Sequence, residues 1–322
     1  MPYNSLISRT DAESLIPEDV SREILSHVPT QSAVMRQARR LQNLSRNQKR
    51  FPVVSALPYA YFVSGDTGLK QTTEVNWEDK FIDAEELAVV IPIPEAVLDD
   101  ADYDIWGEVR PLLEEAFGLA IDQAVLYGTN IPASWTTNMG AAGLVAVMTA
   151  ASSVLSAAAY SDLYEAILGE TAAGVAGLVG TIEADGFMVN GHIAHTAFRG
   201  KLRNVRDANG QPIFQPSMQE RGQYTLDGAP IDFPVNGAIS ATYWDIAGDW
   251  SKLVYAMRQD ITYKIGTEAV ITDGAGNIVY NLFQQDMVAL RAVMRLGFAL
   301  PNPINRMNAT AATRCAFAAL TA

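Results

Sequence analysis

An α+β fold organised around one long helix is what this sequence predicts, and three stretches carry the prediction. Across residues 102–127 the apolar positions Trp106, Val109, Leu113, Ala116, Phe117, Ala120, Ala124 and Tyr127 mostly step by three or four, which is one face of an α-helix. Just before it, residues 87–93 form a short apolar run that reads as a buried strand, with Pro92 and Pro94 marking an edge or an end. Near the other end, residues 283–300 alternate, with Met287, Ala289, Arg291, Val293 and Arg295 on one side. That pattern predicts a long strand returning to the sheet beside the helix. Helices and strands mixed in this order suit an α+β domain.

Composition narrows the class. At 322 residues the chain is long enough for two cores. Its content, 49% hydrophobic and 18% charged, is that of a globular protein. The longest uncharged run, residues 139–160, is alanine-rich and broken by Gly, Ser and Thr, too weakly apolar for a membrane span. The opening MPYNSLISRT lacks the charged-then-apolar pattern of a secretory signal. A single cysteine, Cys315, excludes an internal disulfide and any cysteine-rich metal site.

In residues 16–27, Ile16, Val20 and Ile24 are spaced by four, Pro17 suits a first helical turn, and Pro29 ends the pattern. A helix so short is marginal alone and needs a surface to lie on. Residues 31–44 predict a second short helical or irregular segment. The first fifty residues therefore read as an arm and its anchor. Residues 51–80 change character: Val53, Val54, Tyr59, Tyr61, Phe62 and Val63 favour strands, residues 64–68 a turn. A return strand is expected over residues 72–77, with Thr73, Val75 and Trp77 alternating. A two-stranded excursion is marginal in water, and its aromatics are a liability unless another surface covers them. This points to a chain that works in an assembly.

The long helix begins behind Asp99, Asp100, Asp102 and Asp104, where the helix dipole favours negative charge. Its roughly 26 residues would reach about 39 Å. Pro111 predicts a kink, or a short first helix ending near Arg110. Beyond it, residues 150–159 read as a loop, and Ser161 as the cap of a helix through Leu168. Residues 184–190 predict a turn and a short central strand. Residues 192–205 predict a helix with Ile193, Phe198 and Leu202 inward. Asn209-Gly210, Asp227-Gly228 and residues 273–277 are turn signals. Residues 250–265 and 268–271 supply strands, and Pro301 and Pro303 end the last long one.

The net charge of −13 is unevenly spread. Arg36, Arg39, Arg40, Arg46, Lys49 and Arg50 form a basic segment without an acid, whereas residues 74–122 carry fifteen acids against Lys80 and Arg110. Each suits a solvated face; together they also suit contact between subunits. The acidic balance and the lack of a basic binding motif disfavour a nucleic-acid reader. Catalytic patterns fail in turn. His192 and His195 would share a helix face, but HExxH is absent. Gly174, Gly177 and Gly180 lack the GxGxxG spacing and a Walker lysine, and no GxSxG elbow exists. Neither a metal nor another cofactor is expected, nor an enzymatic role.

An ordered set of segments remains: LIPEDVSREIL, the excursion of residues 51–77, ELAVVIPIPEAVLDDADYDIW, IDQAVLYGT, NGQPIFQP, GDWSKLVYAMRQDITYKI and LFQQDMVALRAVMRLGFAL. In that order they resemble the major capsid proteins of tailed bacteriophages, the HK97-like capsid fold, over nearly the whole chain. The resemblance implies an N-terminal arm (residues 1–50) and an extended β-hairpin loop (51–82). It implies a peripheral domain on a long spine helix (83–133 and 281–322) and an axial domain (134–280). It implies hexamers and pentamers closing an icosahedral shell in the virion, assembled in the host cytoplasm. The shell would enclose double-stranded DNA without sequence-specific binding, with separate scaffolding, portal and decoration proteins and no membrane. The fifteen residues before Ile16 leave no room for a fused scaffolding segment. Candidate interface residues are Tyr59, Tyr61, Phe62, Lys70 and Trp77 on the loop, Arg36, Arg39, Arg40 and Arg50 before it, and Asp99 and Asp100 after it. The founding member joins a loop lysine to a neighbour's asparagine; Lys70 near the loop tip and Asn302, Asn305 and Asn308 are the positions to weigh, and a solvated Lys70 is the stronger reading. An encapsulin-like compartment shell is the alternative within the fold, and the long arm favours the phage. A soluble hydrolase with an unrecognised site is the alternative of another class.

Overall fold

The computed structural model describes residues 32–63, 68–100, 105–171, 173–206, 209–211 and 224–322. The helix expected over residues 16–27, most of the turn at 64–68, Asp102 and Asp104 lie outside the described residues. The chain enters through a short helix α1 (Ala33–Gln37) and a two-residue strand β1 (Arg39–Arg40), then forms a hairpin from β2 (Gln48–Ala56) and β3 (Asn76–Asp83). Strand β4 (Glu85–Pro94), helix α2 (Glu95–Asp100) and the long helix α3 (Ile105–Tyr127) follow.

Helix α3 is continuous through Pro111. No separate helix ends near Arg110; the separate helix is α2, one segment earlier. Gly128 closes α3 in the left-handed region, at φ 72°, which a glycine adopts without a Cβ penalty. Short helices α4 (Ala133–Met139) and α5 (Leu144–Ala150) lead to strand β5 (Val154–Ser156), helices α6 (Leu163–Ile167) and α7 (Leu178–Ala184), strand β6 (Gly191–Ala194) and helix α8 (Phe198–Arg203). Strands β7 (Thr225–Leu226), β8 (Ala229–Asp232), β9 (Tyr243–Gly248), β10 (Val254–Gly266), β11 (Val270–Thr272), β12 (Ile278–Asn281), β13 (Met287–Ala299) and β14 (Phe317–Thr321) complete the chain.

Among the described residues the strands form two principal sheets and two ribbons. One sheet has the order β1-β10-β13-β4, the other β5-β14-β9-β6-β8-β7; the ribbons are β2-β3 and β11-β12. The first is built on β13. Its register with β4 pairs Val288 with Ile93, Leu290 with Ile91 and Ala292 with Val89. The face opposite the one carrying Arg291 and Arg295 is buried along its length, from Val288 to Phe298. Leu113 and Phe117 of α3 pack with Leu290 and Ala292, while Ile121 and Val125 share one core with Met294, Leu296 and Phe298. The helix therefore runs along the strand. Strand β4 is half-buried, at the sheet's edge, rather than buried on both faces, in keeping with Pro92 and Pro94.

Several local expectations shift. Residues 150–159 contain β5, which pairs in parallel with β14 at Val154–Ala319 and Leu155–Leu320; Ala and Ser carry little strand signal, so tertiary pairing decides it. Residues 184–190 supply the turn only, and the central strand falls at β6, all four residues buried. His192 is thus on a strand, and the helix expected from it starts at Phe198. Asp162, not Ser161, caps α6, accepting from the Glu165 amide at 2.8 Å, while the Glu165 carboxylate accepts from the Ser161 amide at 2.6 Å. This reciprocal arrangement is a capping box shifted by one residue. Asp227 (φ 47°) and Gly228 (φ 78°) turn β7 into β8, and residues 273–277 turn β11 into β12. The return strand of the excursion starts at Asn76, so Thr73 and Val75 lie outside the ladder, as do Tyr59, Tyr61 and Phe62.

The two principal sheets exchange strands along the chain. β10 joins the sheet of β13 and β4, whereas β14 joins the sheet of β5, β6 and β9. The chain passes from the six-stranded to the four-stranded sheet near Leu253, and its last strand crosses back. Register, not sequence proximity, sets this order.

Where the hairpin meets the body, β13 passes under Asp83 at Gly297. A Cβ there would overlap the Asp83 carbonyl and press on Ile82. Gly297→Ala is expected to lower the unfolding free energy by about 1–3 kcal/mol, the range for forced overpacking. Urea titration checks it, and a midpoint equal to the parent's would show that the hairpin base yields freely.

Candidate subunit interface

The hairpin and the loop beyond it carry a run of exposed apolar side chains. Its ladder runs from Gln48–Asp83 to Ala56–Asn76. Beyond it the described residues 57–63 and 68–75 form no regular element, and Tyr61 Oη donates to the Gln71 carbonyl at 3.0 Å across the two limbs. Phe62 is fully exposed, Leu69 nearly so, and Tyr59 and Trp77 are about two-thirds exposed. Tyr61 is less so, and Lys70 is exposed. Burying such side chains is worth about 1.5–3 kcal/mol each, so an uncovered cluster of them marks a contact surface.

The body grips the hairpin through the segment after β13. The Ile304 amide donates to the Val54 carbonyl at 3.4 Å, and the Arg306 guanidinium donates to the Pro58 carbonyl. That segment is held by the buried Arg314, which donates to Asn302 Oδ1 (3.1 Å), the Asn302 carbonyl (2.9 Å) and the Asn308 carbonyl (2.9 Å). Asp185 completes the clasp, accepting from Asn308 Nδ2 at 2.7 Å and the Cys315 amide at 2.8 Å. Asn305 Nδ2 donates to the Asp185 carbonyl at 2.7 Å. The late asparagines are therefore occupied within the chain. Burial pushes the Cys315 thiol up to about 12, so it stays protonated and inert.

The charged candidates separate. Arg50 pairs with Asp79 across the hairpin at 3.0 Å, which brings one member of the basic segment to the acidic one. Arg36 pairs with Asp232 at 2.6 Å, outside the acidic segment. Arg39 and Arg40 are exposed on β1, where Arg40 Nη2 donates to Asn43 Oδ1 at 3.2 Å. Asp99 and Asp100 are exposed on α2. Among the described residues no ion pair joins Arg39 or Arg40 to Asp99 or Asp100.

One carboxylate missed at the level of sequence organises the arm's attachment. Asp122 sits fully buried in α3. It accepts from Ser32 Oγ, from the amides of Ala33 (3.0 Å) and Val34 (3.1 Å), and from Asn236 Nδ2 (2.8 Å). Ser32 in turn accepts from the Met35 amide at 3.0 Å, so serine and carboxylate together cap α1. Burial raises the Asp122 carboxyl above its ordinary range and outweighs the four donors, which pull the other way. Burial likewise raises Asp232, against the pull of Arg36. The available signal was the cap pattern SAVMRQ; nothing local pointed it at residue 122.

The histidine pair dissolves. His192 and Asp245 are buried side by side, Nδ1 to Oδ2 at 2.8 Å, inside the six-stranded sheet. His195 accepts from the Ala197 amide in the following turn. Among the described residues no group of three or more His, Cys, Asp or Glu is placed to hold a metal ion, and no helix is long and apolar enough to cross a membrane.

Comparison with known proteins gives a consistent result. A family model described as the phage capsid family matches residues 12–305. The major capsid protein of Staphylococcus phage 80alpha is 26% identical over 288 residues, covering 88% of this chain and 81% of that protein. A solved chain from Microbacterium phage Oxtober96 superposes with a TM-score of 0.79 at 31% identity, covering 98% of this chain and 99% of that one. One from Mycobacterium phage Adephagia does so with a TM-score of 0.80 at 29% identity, covering 98% of each.

Asp122→Ala strips the acceptor from four donors, three of them on the arm. With an unsatisfied buried donor costing about 1–3 kcal/mol, a loss of at least about 3 kcal/mol is expected in urea unfolding, together with faster proteolysis near Ser32. Because the folded carboxyl is raised, its contribution to stability is present at low pH and lost as pH rises through the raised value. Asp122→Asn is therefore expected to reduce the pH dependence of Tm on the acid side, and an unchanged profile would contradict the assignment.

Proposed function

The chain belongs to the phage capsid family, and we propose that copies of it form hexamers and pentamers that close into an icosahedral shell around double-stranded DNA. It is a bacteriophage major capsid protein with the HK97-like fold, a structural subunit of the virion. The four-stranded sheet with α3 serves as the peripheral domain and the six-stranded sheet as the axial domain. The hairpin β2-β3 is the extended loop, and the residues before it are the arm. Scaffolding, portal and decoration proteins act as separate partners, and assembly takes place in the host cytoplasm.

The observation that carries this reading is the hairpin, anchored at its base by Asp83 and Arg306 and bare beyond it. A projecting ribbon with Phe62, Tyr59 and Trp77 exposed gains its burial only against another copy. Closed symmetry then multiplies one modest contact by the number of subunits. The net charge of −13 keeps the subunit from gripping phosphate and lets an enclosed genome move. Lys70 acts as a solvated loop residue. Arg39 and Arg40, exposed and without an ion pair among the described residues, serve as contacts for a neighbour's acidic segment that includes Asp99 and Asp100.

Two experiments test this. The double change Phe62→Ser and Trp77→Ala is expected to leave the urea midpoint of the subunit unchanged while abolishing hollow shells in negative-stain microscopy. Normal shells would remove the loop from the assembly mechanism. Reversal of Arg39 and Arg40 to Glu is expected to lower shell yield at low salt, with partial recovery when Asp99 and Asp100 are changed to Lys. Each exposed pair is worth only about 0–1 kcal/mol, so the effect depends on repetition. Yields equal to the parent's at every salt concentration would leave those charges a solubilising role alone.

A further inference from the structure

Asparagine is followed by glycine three times in the chain, at Asn190-Gly191, Asn209-Gly210 and Asn236-Gly237. A glycine has no Cβ to shield its nitrogen, and it lets the backbone turn back on the preceding side chain. Its nitrogen can then reach the asparagine Cγ, the first step of deamidation. The fold treats the three pairs differently.

Asn236 is buried beside Asp122. Its Nδ2 donates to the Asp122 carboxylate at 2.8 Å, and its Oδ1 accepts from the Ala238 amide at 3.1 Å. Turning it toward Gly237 would take a donor from a buried carboxylate. Asn190 is exposed, but both ends of its side chain are occupied. Nδ2 donates to Asp249 Oδ1 at 3.0 Å, and Oδ1 accepts from the Trp250 amide at 2.9 Å. Its neighbour Gly191 is buried as the first residue of β6, in register with Gly248 of β9. Ring closure there requires the start of β6 to leave its ladder. Asn209-Gly210 lies in a turn beyond α8 and is the one pair of the three that is exposed at both residues. Gly210 has φ 79°, and no described atom comes within 4 Å of the place a Cβ would take. Closing the ring there opens no strand ladder and uncovers no core residue.

We propose that Asn209 is a site of spontaneous deamidation, a modification to which the fold admits this pair and not the other two. The Gly210 nitrogen bonds to Asn209 Cγ and the Cγ–Nδ2 bond breaks. The proton displaced from the Gly210 nitrogen leaves with Nδ2 as ammonia. One water then opens the five-membered imide. Attack at the side-chain carbonyl gives aspartate, and attack at the main-chain carbonyl gives isoaspartate. One water enters and one ammonia leaves, with no oxidant, metal or partner. Each event adds a negative charge to a chain already at −13, and isoaspartate also lengthens the main chain by a methylene.

Tandem mass spectrometry on the folded full-length chain, aged in mildly alkaline buffer, tests this. Peptides holding each pair are followed for replacement of the amide by a carboxyl, with isoaspartate resolved from aspartate. Asn209 is expected to convert at least about tenfold faster than Asn190 or Asn236, because those two wait on local opening. The same chain aged in guanidinium chloride is the control, and there the three are expected to convert at similar rates. Asn209→Gln is expected to remove the folded-chain signal, since its ring would be larger and slower to form. Conversion of Asn190 or Asn236 as fast as Asn209 in the folded chain overturns the proposal. So does an Asn209 that stays intact while the denatured sample converts. The same order and spread of rates in denaturant also overturns it, and assigns the selectivity to local sequence instead of the fold.

Discussion

The carboxylate of Asp122 joins three parts of the chain that are far apart in sequence. From the buried face of the spine helix it receives the first amides and the hydroxyl of the arm helix, and the amide of Asn236 from the loop behind β8. A carboxylate in that position is costly by itself, and the raised range of the group records the cost. The donors make it tolerable, and in return they are fixed. Arg36, two residues past the capped amides, extends the junction to Asp232 on β8. The described part of the arm thus meets the body at a defined point.

The second constraint is the pairing of helix α3 with strand β13. One face of the strand is apolar along nearly its whole length, and the helix covers it from Leu113 to Val125. Along the same strand, Tyr255 stacks on Phe298 and Trp135 meets that ring edge-on. These aromatic contacts lie near Leu253, where the chain passes between the two sheets. The six-stranded sheet is continuous with this core through Ile246, Trp250 and Phe317. The two principal sheets consequently share one packed core, and the hairpin β2-β3 and the ribbon β11-β12 are sheets of their own. A packed body carrying an apolar ribbon suits a shell, because the ribbon can be placed on a neighbour.

The clasp of Asp185, Asn308, Asn302 and Arg314 serves the same end. Arg314 is buried, and burial lowers the hold of its guanidinium on its proton. Its donors are nevertheless spent on carbonyls and an amide oxygen of one short segment. That segment touches the hairpin at Val54 and Pro58. The base of the loop is therefore positioned by a polar network, while its outer part is left to pack elsewhere.

Much of this was legible in the sequence because it rests on periodicity. The spine helix, the long returning strand, the edge position of β4 and the turns at Asp227-Gly228 and residues 273–277 are each written in local spacing or in residues with special backbone freedom. The ordered segments identified the fold family, and the single cysteine leaves no internal disulfide to form. What the sequence did not carry was partnership. Strand β5 has no strand-like residues beyond Val154 and Leu155 and exists because β14 lies beside it. His192 matched a helical pattern and became a buried strand residue because β6 runs between β8 and β9. Asp122 read as one acid among fifteen and became the anchor of the arm once α1 was laid against it. In each case the deciding energy comes from atoms distant in sequence, and only the folded chain brings them within hydrogen-bonding reach.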